Sequence, residues 1–248
     1  MIAKLKASAI HFCISGGVIA LFLSAVFYVW YPWPFYELYS TWDVIKIVVS
    51  VDLVLGPLLT LVVFNKAKKP AELKRDLSII VLFQLSALAW GVHITYSARP
   101  VFLVFSNGSF YSFAKTEVDV SQLKYKELEP AFYHRPAMAY LTPPKDKDEL
   151  WQIINDMADN GSPGLIYRAS RYQPISDYWQ KIYRFPLDID ELKKKPESAE
   201  LIENFIKRKK DGLLENYVFY PMRSGRASAT LVINKNTNKI DGFIDKML

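Results

Sequence analysis

One acidic residue, Asp52, lies near the middle of an apolar segment, WDVIKIVVSVDLVLGPLLTLVVFN, that runs from Trp42 to Asn65. The segment is about as long as a bilayer requires, roughly 20 residues, and carrying a carboxylate into hydrocarbon costs about 2.5 to 3.5 kcal/mol. Because proline has no N–H, the carbonyl four residues before Pro57 loses its helical partner beside the acid. The candidate intramembrane polar and kinked site consists of Asp52, Gly56, Pro57 and Thr60. Its acid needs a hydrogen-bond partner, either from other helices of the chain or from another protein.

Catalytic chemistry is not indicated by the residues that usually supply it. Cys13 is the only cysteine and cannot form an intrachain disulfide. Beyond residue 96 the single histidine is His134, with no G-x-S-x-G motif, no phosphate-binding loop and no spacing of metal ligands. His11 and His93 lie near opposite membrane faces in the predicted spans, which excludes a shared haem or metal site. The sequence therefore predicts no enzyme, no metal site and no cofactor.

Three apolar runs predict the helices that position Asp52. They cover about residues 7–31, 44–64 and 77–96, and each is long enough to cross a bilayer. The first run is too long for a signal peptide, and it ends in the aromatic motif YPWPFY (Tyr31 to Tyr36) instead of a small-residue cleavage site. Residues 1–96 are therefore predicted to form a transmembrane anchor of three helices, followed by a domain of residues 97–248.

Small residues recur at helical spacing along the first run, at Ala9, Cys13, Gly17, Ala20 and Ser24. Such a stripe allows two helices to approach closely. We expect it to pack against the second and third spans of the same chain.

The basic residues of the short loops predict the orientation. Lys4 and Lys6 precede the first span, the turn of residues 65–76 has five basic residues, and the loop of residues 31–43 has none. Positively charged loops stay on the cytoplasmic side. The N-terminus is therefore predicted to be cytoplasmic and the domain of residues 97–248 to be extracytoplasmic. That domain carries 23 Lys or Arg and 20 acidic residues, a surplus too small to indicate nucleic-acid binding.

The extracytoplasmic domain shows alternating strand and helix patterns. Predicted strands are 101–105, 110–114, 217–222, 227–233 and 239–244. A capping box at Asp146 and Glu149 opens a helix that ends at Gly161, and another at Asp188 and Glu191 opens a short one. A further helix is predicted over 197–210, with Gly212 as its C-cap. This order of elements predicts an α+β fold with an antiparallel sheet.

One segment of the domain, YRASRYQPISDYWQKIYRF from Tyr167 to Phe185, interleaves aromatic and basic residues. Aromatic residues and arginine are enriched at protein interfaces. The candidate partner-binding residues are Tyr167, Arg168, Arg171, Tyr172, Tyr178, Trp179, Tyr183 and Arg184. Packing of these aromatics in the core is the alternative. The basic run Lys207 to Lys210 is interpreted as a solvated helix end, with contact to lipid headgroups or an acidic partner as the alternative.

The first 110 residues resemble a known family. The similar features are the basic start, the YPWPFY motif, VDLVLGPLLTLVVFN, a KKP turn, KRDLSIIVLFQLSALAWG, and RPVFLVF at Arg99 to Phe105. This pattern resembles the TfpX/TfpZ-type accessory proteins of type IV pilins in Gram-negative bacteria. Beyond residue 110 the resemblance fades, as expected if the distal domain varies with the cognate pilin.

The resemblance implies a non-enzymatic accessory or chaperone protein of the bacterial inner membrane with a periplasmic domain. Its implied partner is a type IV major pilin, bound through the membrane helix and the globular head, and membrane lipid is the other expected partner. The residues alone predict a membrane-anchored extracytoplasmic binding module. They leave open a ligand-binding or signalling subunit as the alternative.

The depth of Asp52 bears on its partner. The resemblance implies a pilin whose positive N-terminal amine lies at the cytoplasmic start of its membrane helix. Asp52 lies eight residues from the outer end of its predicted span, about 12 Å at roughly 1.5 Å per residue, which leaves it far from that amine. We therefore expect Asp52 to be bound within its own chain, to Ser24 or Ser86, whose counted depths are similar.

Overall fold

The computed structural model of the chain describes residues 1–32, 35–39, 42–131, 136–209, 212–225, 228–244 and 246–248. These residues form two compact units, Met1–Arg99 and Pro100–Leu248. Of the features named above, Trp33 and Pro34 of the YPWPFY motif, His134, Lys210 and residue 227 lie outside the described residues.

Three helices of the first unit are long and apolar enough to cross a membrane, as the sequence predicts. They are the first span, Ile2–Trp30, the second span, Trp42–Val63, and the third span, Pro70–Ser97. A single helical turn, Phe35–Leu38, lies between the first two. Asp52 is at the middle of the second span, slightly further from the first residue of the span than the count from the sequence placed it.

The second span widens by one turn at Val51–Leu55, which is π-helical. There the N–H of Gly56 donates to the carbonyl of Val51, five residues back. Pro57 follows and has no N–H to continue the regular ladder. Single π turns inside α-helices are frequently found at functional sites, and this one contains Asp52.

The predicted packing stripe on the first span is wrong. Its small residues are exposed, and a Cβ added at Gly17 would meet nothing within 4 Å. The buried face of this helix includes Ser15, Ile19 and Phe22 instead. Close approach is provided by glycines of the other spans: a Cβ at Gly56 would lie 2.2 Å from Gln84 Nε2, and one at Gly91 would lie 2.3 Å from Val48 Cγ2.

The second unit is an α+β domain, which confirms the predicted class. Its described strands are β1 (Pro100–Ser106), β2 (Ser109–Ala114), β3 (Ala137–Leu141), β4 (Tyr172–Pro174), β5 (Tyr217–Arg223), β6 (Ser228–Asn234) and β7 (Lys239–Ile244). They form a seven-stranded sheet in the order β4-β3-β1-β2-β5-β6-β7. The sheet is mixed and not purely antiparallel, because β1 pairs parallel with β3 and β2 parallel with β5. Both parallel pairs are joined by long connections, which parallel neighbours require.

The helices of the domain follow most of the predicted boundaries. They are Lys147–Asn160, Trp179–Ile182, Ile189–Lys193 and Pro196–Lys207, with several 3-10 turns between them. Asp146 accepts from the N–H of Glu149 at 2.8 Å, and Gly161 ends that helix at φ +62°. Pro196–Lys207 ends earlier than predicted, so Gly212 is not its cap.

The apolar face of the helix Lys147–Asn160 does not pack as its pattern predicts. Only Ile153 is buried, while Leu150, Ile154 and Met157 are partly exposed. The domain's apolar cores form instead around β1 with β3 and around β5 with the helix Pro196–Lys207.

Candidate functional site

Asp52 is buried, with 4% of its surface exposed, and it is bonded within its own chain. Gln84 of the third span donates from Nε2 to the Asp52 carboxyl Oδ1 at 3.4 Å and to the Asp52 carbonyl oxygen at 3.3 Å. The predicted partners, Ser24 and Ser86, are wrong. Each donates instead to the carbonyl four residues earlier in its own helix. The expectation of an intrachain partner therefore agrees with the structure, but the partner is an amide of the third span.

A second polar pair joins the first and second spans. His11 Nδ1 lies 2.6 Å from the hydroxyl of Thr60, which is buried. Ser8 donates to the carbonyl of Pro57 at 2.8 Å. Sequence reasoning placed Thr60 in the site but did not include His11 or Ser8. The sequence did contain a signal for both residues, because polar side chains within an apolar run usually hydrogen-bond to neighbouring helices.

A cavity of about 400 Å³ lies between the three spans. One wall is formed by the first span over residues 7–18, the other by the third span over residues 77–88, and the second span contributes Asp52 and Thr60. We call this cavity the inner groove. Its walls are mostly apolar, and both polar pairs line it.

The first and third spans meet at the end away from the inner groove. There the hydroxyl of Tyr31 donates to the carbonyl of Thr95 at 2.8 Å, and the rings of Trp30 and Tyr96 lie edge to face at 5.4 Å. Along the inner groove each of these spans packs mainly on the second span. The groove is therefore held open between two walls that are joined at one end.

In the second unit, three of the eight candidate partner-binding residues support the fold. Tyr172 is fully buried in β4, packs edge to face on Phe102 and donates to a backbone carbonyl at 2.6 Å. Arg168 pairs with Asp156 at 2.7 Å. Arg171 pairs with Glu149. The last two contacts attach the helix Lys147–Asn160 to the segment that precedes β4.

The other five candidates lie nearer the surface. Tyr178 stacks on Tyr140 at 4.2 Å, with Lys181 Nζ 5.0 Å from the Tyr178 ring. Trp179 stacks on Tyr183 at 5.7 Å. The two remaining side chains, Tyr167 and Arg184, are exposed. Binding of a partner by this segment stays a prediction.

Acid is expected to weaken the contact between Glu149 and Arg171. The backbone N–H of Lys145, which donates to the Glu149 carboxylate at 2.6 Å, and the Arg171 guanidinium hold the pKa of Glu149 below its ordinary value. A carboxyl whose pKa is lower in the folded protein stabilises the fold above its unfolded pKa, and this contribution disappears as pH falls through the folded pKa. The melting temperature of the purified protein in detergent should therefore decrease as the pH drops below about 4.5, which is near the pKa of an ordinary glutamate.

Glu149→Gln should reduce this acid sensitivity and lower the melting temperature at neutral pH. Asp148→Asn is the matched control, because Asp148 is an exposed acid on the same helical turn. If the melting temperatures of both variants depend on pH as that of the parent protein does, the Glu149 contact does not contribute to acid stability.

Among the described residues, no group of three or more His, Cys, Asp or Glu side chains could hold a metal ion. The site is instead a set of hydrogen-bonded polar residues within three membrane-length helices, and a separate α+β domain follows. This architecture defines a protein with three helices long and apolar enough to span a membrane, followed by an α+β domain.

The family model described as fimbrial assembly protein FimB matches residues 1–40. The fimbrial assembly protein of serogroups C1 and C2 from Dichelobacter nodosus is 36% identical over 118 residues, which are 90% of that protein and 48% of this chain. The chain belongs to the fimbrial assembly protein family.

Two more relatives come from the same organism. The fimbrial assembly proteins of serogroups I and E1 are 35% and 34% identical over 118 residues. The match covers 46% of each, so the aligned part spans about half the length of these relatives and about half of this chain. No solved structure matches the chain.

Proposed function

We propose that the protein is a TfpX/TfpZ-type accessory protein that binds its cognate type IV major pilin and assists the assembly or stability of that pilin. The observation that carries the proposal is the similarity over 118 residues to proteins named for fimbrial assembly. The buried polar cluster of the spans supports it, because polar residues inside a membrane bundle commonly mark sites of function. The role is one of binding, without a chemical step.

Deleting the gene in its native host tests this function. We expect fewer assembled pili, or a lower amount of the pilin in the membrane, because the pilin's apolar helix would lack its binding partner before assembly. The measurements are pilus counts by electron microscopy and pilin quantification in membrane fractions. Restoration by the intact gene is the control. Normal pili and normal pilin levels in the deletion strain would contradict the proposal.

We further propose an inner-membrane orientation with a cytoplasmic N-terminus and a periplasmic domain. The support is the loop charge: the turn between the second and third spans holds five basic residues, and the loop between the first and second holds none. A reporter that is active only in the periplasm should be active when fused after Leu248 and silent when fused at Ala67. A cytoplasmic reporter should show the reverse pattern. Periplasmic activity at Ala67 would overturn this orientation.

A ligand-binding or signalling subunit is the second candidate function. One observation favours it: a cavity of about 790 Å³ in the α+β domain, lined by aromatic residues such as Phe105, Tyr140 and Phe185 together with Lys147 and Lys181. Such mixed, mostly apolar cavities can hold small molecules. This candidate predicts that the deletion strain keeps its pili while transcription of other genes changes. The accessory role predicts that the deletion strain loses pili or pilin while transcription of other genes stays the same.

A further inference from the structure

We infer that the inner groove is the docking site for one transmembrane helix of the pilin, and that this helix presents a hydrogen-bonding side chain to the Asp52–Gln84 pair. The identity of the occupant rests on the proposed function. The docking surface and the chemistry of the contact come from the geometry of the three spans.

The shape of the inner groove suits a helix. Ala7, His11 and Ser15 of the first span line it at intervals of four residues, and so do Leu77, Val81 and Leu85 of the third span. Residues spaced in this way form ridges along their helices. The groove therefore runs along the helix axes. A helix of the partner that lies between these two ridges would complete the packing.

The polar residues of the inner groove favour a helix over lipid as its occupant. Gln84 donates to one carboxyl oxygen of Asp52, and no described residue is hydrogen-bonded to the other oxygen. A lipid chain cannot hydrogen-bond to that oxygen, so a groove filled only with lipid leaves a polar group unsatisfied in hydrocarbon. A helix of the partner can satisfy it with a side chain at the same depth.

The position of the groove defines the depth of this contact. Asp52 lies at the middle of the second span, and Thr60 lies within a turn of its end at Val63. Near that end Lys4 donates to the carbonyl of Val62 at 3.5 Å. In the proposed orientation the groove therefore occupies the cytoplasmic half of the bilayer, and the contact with Asp52 lies at its midplane.

Photocrosslinking from within the native membrane tests this inference. The crosslinking amino acid p-benzoylphenylalanine replaces Ile14 or Leu85, which line the groove and are 63% and 56% exposed. Matched controls replace Phe12 and Phe83, which are 51% and 72% exposed on the same two helices but do not line the groove. We expect pilin adducts from the groove positions at a yield at least several-fold above that of the controls.

Three outcomes would overturn the docking inference. They are equal pilin yields at all four positions, adducts with lipid alone, and an adduct of twice the chain's own mass, which would identify a second copy as the occupant. Loss of pili on deletion without groove adducts would reject the docking site and leave the proposed function standing. Normal pili and normal pilin levels on deletion would reject both.

Filling the groove gives an independent measurement that does not alter Asp52. Ser15 is buried and lines the groove, whereas Ser24 is exposed further along the same helix. Ser15→Leu should lower the pilin yield from position 85 several-fold, at a normal protein level, and Ser24→Leu should leave it unchanged. An unchanged yield in Ser15→Leu would show that the groove is not where the helix docks.

Discussion

Replacing Asp52 with leucine is expected to lower the amount of the protein in the membrane several-fold. The substitution removes the carboxyl acceptor of the Gln84 amide, which is buried between the second and third spans. Hydrogen bonds between membrane helices contribute about 0.6 kcal/mol on average and up to about 1.7 kcal/mol, and about 1.4 kcal/mol changes an equilibrium tenfold. Quantitative immunoblotting of membrane fractions measures the effect, and pilus counts measure its consequence for assembly.

Asp52→Asn is the matched variant for this experiment. Asparagine is nearly the same size and keeps an oxygen that can accept from Gln84, so the protein level should stay close to that of the parent. Asparagine replaces the second carboxyl oxygen with an amide that donates, so a loss of pili at a normal protein level would agree with a contact between that oxygen and the pilin. A protein level as low as that of Asp52→Leu would contradict the account based on hydrogen bonding.

Exchanging residues 97–248 for those of a related accessory protein should switch which pilin is assisted. The family model matches residues 1–40, and the recognisable sequence pattern fades beyond residue 110. Residues Pro100–Leu248 form a compact unit of their own, so the domain should fold in the chimera. The measurement is pilus number in strains that express one pilin or the other, and we expect a nearly complete reversal of preference.

The reciprocal chimera, with only residues 1–96 exchanged, is the control and should keep the original preference. If the first chimera still assists the original pilin at the full level, recognition lies in the spans. The pilin would then be distinguished by its membrane helix, and the segment from Tyr167 to Phe185 would have no part in choosing it.

Hydropathy and turn patterns predicted the three apolar helices and the α+β class, because both depend on local composition. The partner of Asp52 could not be predicted in the same way. Counting residues gives the depth of a side chain, and Ser24 and Ser86 have suitable depths, but the rotation of each helix about its axis decides which side chains meet. Gln84 turns toward Asp52 because Gly56 leaves space for it.

Strands β3 and β4 and the parallel pairing within the sheet were missed for a related reason. β3 and β4 are short, and β4 lies within the aromatic and basic segment that resembled a binding surface. Their pairing depends on contacts distant in sequence, which local alternation of residues does not report. The burial of Tyr172 follows from that pairing, since β4 places it against Phe102 of β1.

The buried polar face that begins at the wide turn Val51–Leu55 makes the second span sensitive to insertions and deletions. Asp52, Gly56 and Thr60 are all buried on one face of this helix. Removing one residue between Gly56 and Thr60, where the helix is regular, would rotate one half of the span against the other by about 100°, the angle per residue of a regular helix. Asp52 and Thr60 would then no longer face the same side. The number of residues between the buried positions of this helix therefore matters more than the identity of most of its apolar side chains. Alignments of related chains should show substitutions here without gaps.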